Sequence, residues 1–132
     1  MANSDPKKHA AMHLDQGKQR LSQGFYEEAR EDFRRALVLD PQNSEARLGL
    51  ANAQIALNDL AGARSELELA LHDRPTPDTY IALAQLHLKE NKVDAANDDV
   101  TKALQLEPGN SSALVLRQQL TSRLESSARN KQ

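Results

Sequence analysis

Apolar residues recur along this chain at the three-and-four spacing of a helix, not with the alternation of a strand. In EEAREDFRRALVLDP (27–41), Ala29, Phe33, Ala36, Leu37 and Leu39 run at helical spacing while eight of the fifteen residues are charged. That pattern predicts an amphipathic helix with a solvated outer face. Asp40-Pro41 ends it, because proline cannot continue the backbone hydrogen bonding and disfavours helix in the residue before it. Amphipathic segments over 8–23, 44–57 and 78–90 predict further helices.

The stretch recurs. AGARSELELALHDRP (61–75) and DAANDDVTKALQLEP (94–108) match it seat for seat, at periods of 34 and 33 residues. Ala29, Ala63 and Ala96 coincide, as do Ala36, Ala70 and Ala103, and Pro41, Pro75 and Pro108. Phe33, Leu67 and Val100 share one apolar seat; Leu37, Leu71 and Leu104 share another. Ahead of each copy stands a turn, GFY (24–26), NDL (58–60) or NKV (91–93), with Gly24, Asn58 or Asn91 where a helix end takes a left-handed residue. The unit is helix, tight turn, helix, proline-ended loop, and the one-residue deletion falls in the loop around Pro75–Pro77. Periods of this length mark a stacked repeat architecture.

These residues resemble the tetratricopeptide repeat family: a small residue in the first helix (Gly17, Ala51, Ala84), two alanines in the second, and a closing proline at a 34-residue period. The resemblance covers about residues 10–125. It implies an all-α fold, a right-handed α-α superhelix (solenoid) of three helix-turn-helix repeats with a C-terminal solvating helix. The chain departs from the family at two seats. The bulky aromatic early in the first helix is His13, Arg47 and Tyr80, and the tyrosine near its end is Arg20, Gln54 and His87. Looser packing between paired helices is the expectation, above all in the first repeat. The alanines allow close approach of antiparallel helices, toward the short end of the ~8–10 Å range. A larger side chain at Ala63 is expected to overpack that crossing by about 1–3 kcal/mol.

The expected layout is a flexible tail over 1–8, one domain over 9–125 and a second flexible tail over 126–132. The domain comprises repeats 10–43, 44–76 and 77–110 and a capping helix 111–125. End repeats of a stack need polar outer faces. The backward-facing set is Ala46, Gly49, Ala53 and Leu57 in the second repeat but Met12, Asp15, Gln19 and Gln23 in the first. The last helix keeps Ala113, Leu116, Leu120 and Leu124 on that face and puts Arg117, Gln118 and Thr121 where a partner helix would pack. The array is therefore expected to be closed at both ends, although a larger parent protein could continue from either.

Composition narrows the function. Net charge is −2 with both signs interspersed, so neither a basic nucleic-acid stripe nor an acidic block is present. Cysteine is absent, which excludes disulfides, thiol catalysis and Cys-ligated zinc. No apolar run approaches the ~20 residues of a membrane span, and the N-terminus lacks a signal-peptide core. The compartment stays open, with the cytoplasm favoured on that ground. Aromatics are 3% of the chain, so the core must be aliphatic.

Stacked first helices line the concave surface that the family uses to bind peptides or partner helices. Periodicity places three rows there. Leu14, Leu48, Ile81 and Val115 form one, and Leu21, Ile55, Leu88 and Ser122 a second. Between them run Lys18, Asn52, Gln85 and Gln119. Two apolar strips flanking a line of amides suit an extended peptide or one face of an amphipathic helix. The alternative is that these leucines are buried between neighbouring first helices. Family members that hold the acidic C-terminal tails of heat-shock chaperones clamp them with lysines, asparagines and an arginine. The matching seats here hold Leu14, Lys18, Gly49, Asp78 and Ala82, which does not make such a clamp.

Chemistry for catalysis is missing. His9 and His13 have metal-binding i,i+4 spacing but no third ligand in register. His87 faces the paired helix, and a packed role is the expectation. Glu27–Glu28 and Asp98–Asp99 are sequence neighbours that point off different sides of a helix. No phosphate loop, HExxH or nucleophile elbow occurs. The expectation is a non-catalytic interaction module, an adaptor or scaffold binding a peptide or helix of a partner protein, with no cofactor, no metal, no nucleic acid and no membrane insertion. The competing reading is a homo-oligomerisation or structural module of a larger assembly or envelope-associated protein.

Overall fold

The structure, a computed structural model, describes residues 5–131. Among them are seven helices and no strand: α1 (Pro6–Ser22), α2 (Tyr26–Leu39), α3 (Ser44–Ala56), α4 (Leu60–Asp73), α5 (Pro77–Lys89), α6 (Val93–Leu106) and α7 (Ser111–Asn130). The fold is an all-α helical repeat. By their contacts the described residues group into two compact units, divided between Ala70 and Leu71.

Local chemistry explains the helix ends. Asp5, Asn43, Thr76 and Asn110 cap α1, α3, α5 and α7, each side-chain oxygen accepting from a backbone amide of the first turn at 2.9–3.2 Å. Proline follows directly at the start of α1 and α5, where a missing amide costs nothing. The turns use left-handed residues at the expected places: Gly24 (φ 84°), Asn58 (φ 63°) and Asn91 (φ 60°). Residues 6–8 and 126–130 of the expected tails are helical, since Asp5-Pro6 starts α1 at Pro6 and α7 runs to Asn130. Residues 1–4 and 132 lie outside the described residues.

In the first unit, Phe33 of α2 is fully buried in a cluster with Ala10 and Leu14 of α1 and Ala46, Leu50 and Ala53 of α3. A Cβ built on Gly17 would come within 2.7 Å of the Phe33 ring, and one on Gly49 within 2.4 Å. The one large aromatic of the core thus fits because both facing seats are glycine. The second unit strikes the opposite balance: Val100 of α6 shares a cluster with Ala84 of α5 and Leu116 of α7. A smaller residue on the second helix is matched by larger ones facing it, which conserves volume.

The looser first repeat expected from sequence is not what the structure has. Ala10, Ala29, Phe33 and Ala36 are all 0% exposed. The seat that lost its tyrosine is filled by charge: the Arg20 guanidinium donates to both carboxylate oxygens of the buried Asp32, at 2.9 and 3.1 Å. On the outward side of α1, Met12, Asp15, Gln19 and Gln23 are exposed. On α7, Ala113, Leu116 and Leu120 are buried, Leu124 is half-buried, and Gln118 and Thr121 face solvent.

Candidate functional site

The row residues occupy i, i+4 and i+7 positions of the first helix of each repeat and of α7, so each set shares one helix face. What that face becomes differs between the units.

In the second unit, Ile81 and Gln85 of α5 meet Val115 and Gln119 of α7. Together with Ser111, Ser112 and Leu116 they line an open hollow of about 320 Å³. This lies at the small end of the ~300–1,000 Å³ that ligand sites span. Val115 is 56% exposed, a large apolar side chain turned to water at the hollow. Gln85 and Gln119 are also exposed. Leu88, a turn further along α5, instead packs half-buried against the core cluster.

In the first unit the same seats are largely consumed by packing. Leu14 is 8% exposed and belongs to the core, and Leu21 packs against it. Ile55 is 5% exposed, so it is not available to a partner, contrary to its sequence placement on the groove. Leu48 and Asn52 are half-buried. Lys18 is exposed and ion-paired: its Nζ lies 2.5 Å from a carboxylate oxygen of Glu45 on α3. The rows therefore divide. Leu14 and Ile55 are structural, whereas Ile81, Gln85, Val115 and Gln119 come together at the surface.

The structure adds a second set of polar residues, outside the three rows. Asp32, Glu66 and Asp99 occupy one seat of the second helices, at the 34- and 33-residue periods. Each meets a cation or histidine of the preceding first helix. Besides Arg20, Asp32 also accepts from Arg35 at 3.3 Å. The Arg47 guanidinium bonds Glu66 at 2.8 Å and the Pro41 carbonyl at 3.0 Å. His87 Nδ1 lies 2.5 Å from Asp99 Oδ2. Burial pushes the Asp99 carboxyl above its ordinary value; the hydrogen bond and charge of His87, and Lys102, pull the other way but less strongly, and Asp98 adds to the rise. The signal that could have revealed these pairs is the periodicity of the acids, set against Arg20 and His87 in the vacated tyrosine seat.

The His87–Asp99 pair has the elements of an oriented base, but it is largely buried between α5 and α6, with the two side chains 17% and 9% exposed. It pins two helices. Among the described residues, no group of three or more His, Cys, Asp or Glu could hold a metal ion. No helix among them is long and apolar enough to cross a membrane.

Comparison with known proteins follows the same lines. The sequence profile of the tetratricopeptide repeat matches residues 20–86, and a second profile of that repeat matches 77–110. A protein of Escherichia coli O157:H7 named "Putative cellulose synthase operon protein C" is 35% identical over 102 residues, 74% of this chain. The chain spans only 9% of that protein's length. The solved first tetratricopeptide repeat domain of the human RPAP3 protein superposes with a TM-score of 0.80 at 25% identity, covering 92% of this chain and 96% of that one. The first such domain of Spaghetti (RPAP3), bound to the HSP90 peptide SRMEEVD, gives 0.77 at 25% identity, over 90% and 95% of the two chains. With half of the sequence matched by one profile, the turns, alanine seats and closing prolines in register, and neighbours of the same architecture, the chain belongs to the tetratricopeptide repeat family.

Proposed function

We propose that this chain is a non-catalytic adaptor that binds a peptide or helix of a partner protein on the first-helix face of its repeats. The family makes it a protein-interaction module. Support for the finer reading comes from one observation: the hollow between α5 and α7, where Val115 stands exposed beside Ile81 with Gln85 and Gln119 alongside. Exposed apolar surface rimmed by hydrogen-bonding groups is what a docking site requires. The related domain solved with SRMEEVD holds a short peptide. No aromatic lines the hollow, so affinity should be modest, about micromolar.

The test is capture of partners on the intact chain and on Val115→Asp. Because Val115 is exposed, the variant should keep its helical circular dichroism and unfolding temperature while losing the partners bound by the wild type. Recovery of the same partners by the variant would place the binding surface elsewhere.

A second reading, a structural segment of a larger assembly, draws on the identity with the cellulose synthase operon protein. It predicts that the chain self-associates or co-purifies in a complex of fixed composition. Light scattering over a concentration series that finds only monomer at tens of micromolar would remove the self-association branch.

A further inference from the structure

We propose that the segment held at the α5–α7 hollow is an uncharged, extended peptide. One branched aliphatic side chain seats between Ile81, Val115 and Leu116, and its main chain is hydrogen-bonded by Gln85 and Gln119. This rests on the reading of that face as a binding surface and specifies the chemistry of its occupant.

Four observations carry it. The lining consists of aliphatic side chains, primary amides and serine hydroxyls, with no charged group among them. A carboxylate drawn into that hollow would shed water without gaining a cation, and burying an unpaired charge is costly. Next, each glutamine amide offers both a donor and an acceptor, and so does each peptide unit of an extended chain. Two such amides can answer both the N–H and the C=O of a backbone, whereas an anion would use only their N–H donors and leave their carbonyls unpaired. The volume, about 320 Å³, fits one aliphatic side chain with its flanking backbone rather than an aromatic cluster.

The surrounding charges point the same way. Asp78 is exposed one helical turn before Ile81 and, like the nearby cations, does not line the hollow. Lys18, the single basic residue on the seats of an acidic-tail clamp, is matched by Glu45 at 2.5 Å within its own unit. Lys89 and Arg123 lie a turn beyond Gln85 and Gln119 and do not line the hollow. This chain thus differs from the related domain solved with SRMEEVD, a peptide carrying three acidic side chains.

The experiment is selection of random dodecapeptides on the intact chain, from one library displayed internally and another with free C-termini, with sequencing before and after. Val115→Asp, first shown to keep the wild-type circular dichroism, serves as the counter-target. Selected sequences should share a Leu, Ile or Val at a fixed position and be depleted in Asp and Glu. Their enrichment should fall by about tenfold or more on Val115→Asp, the effect of one charge buried without a partner. Enrichment of acidic or C-terminal carboxylate sequences that still depends on Val115 would overturn the uncharged occupant and leave the groove reading standing. No enrichment, or enrichment indifferent to Val115→Asp, would overturn both.

Discussion

Gly49→Ala adds one methyl group where the structure leaves no room for it. The new Cβ would stand 2.4, 2.5 and 2.8 Å from three ring atoms of Phe33, against the ~3.5–4.0 Å at which carbon atoms pack comfortably. Retreat of the ring is limited, because Phe33 is fully buried and the same three atoms are the nearest neighbours of Gly17 on α1. Overpacking of this kind costs about 1–3 kcal/mol. Opposing it, alanine in a helix interior is favoured over glycine by up to ~1 kcal/mol. With three contacts all under 3.0 Å the steric term wins, and a net loss of about 1–2 kcal/mol is expected. For a chain of this size that lowers Tm by roughly 3–5 °C per kcal/mol, readable by far-UV circular dichroism. Gly109→Ala, which meets nothing within 4 Å, is the control and should change little. Combining Gly49→Ala with Phe33→Leu should cost less than the sum of the two single changes, because the smaller side chain removes the clash. A Gly49→Ala protein as stable as the wild type, or more so, would refute the account of how this repeat packs.

Other outcomes follow from the same structure. Arg20→Ala leaves the buried Asp32 with Arg35 as its remaining cation, at 3.3 Å, and should lower the urea midpoint by an amount worth about 1–3 kcal/mol; an unchanged midpoint would mean that the seat is held by packing alone. Asp99 keeps its proton to a higher pH in the fold than in the unfolded chain. Its contribution to stability is therefore fully present below the ordinary value of 3.8 and is lost as pH rises from there through the raised value. Across that window the urea midpoint of the wild type should fall relative to that of Asp99→Asn, and a relative rise would reverse the assigned direction. Asn91→Val forces a β-branched residue to φ 60° and should destabilise by about 1–2 kcal/mol, whereas Asn91→Gly should be neutral or mildly stabilising; thermal melts of the two variants decide it.

Much of the fold was legible in the sequence because repetition multiplies weak signals. A single Gly or Asn ahead of a helix means little, but Gly24, Asn58 and Asn91 in phase identify three left-handed turns, and all three have positive φ. The start of α1 is written in the Asp5-Pro6 pair as well, a capping carboxylate followed by a proline at the first helical position. The candidate site was legible only in part. Periodicity assigns a residue to a helix face, and it did so for Leu14, Ile55 and Val115 alike.

What the sequence determined by itself is therefore everything set by local geometry and period: the helices, their turns, the small seats where helices approach, and the face each residue shares. Tertiary structure alone decided which members of that face stay accessible. Leu14 and Ile55 are covered while Val115 is open, since coverage depends on how closely neighbouring helices approach, which no spacing along the chain encodes. It also decided that Lys18 meets Glu45, 27 residues away, and that Arg20 closes on Asp32 in the space a tyrosine would fill. Charges find partners in space, and only the packed helices fix which partner is within reach.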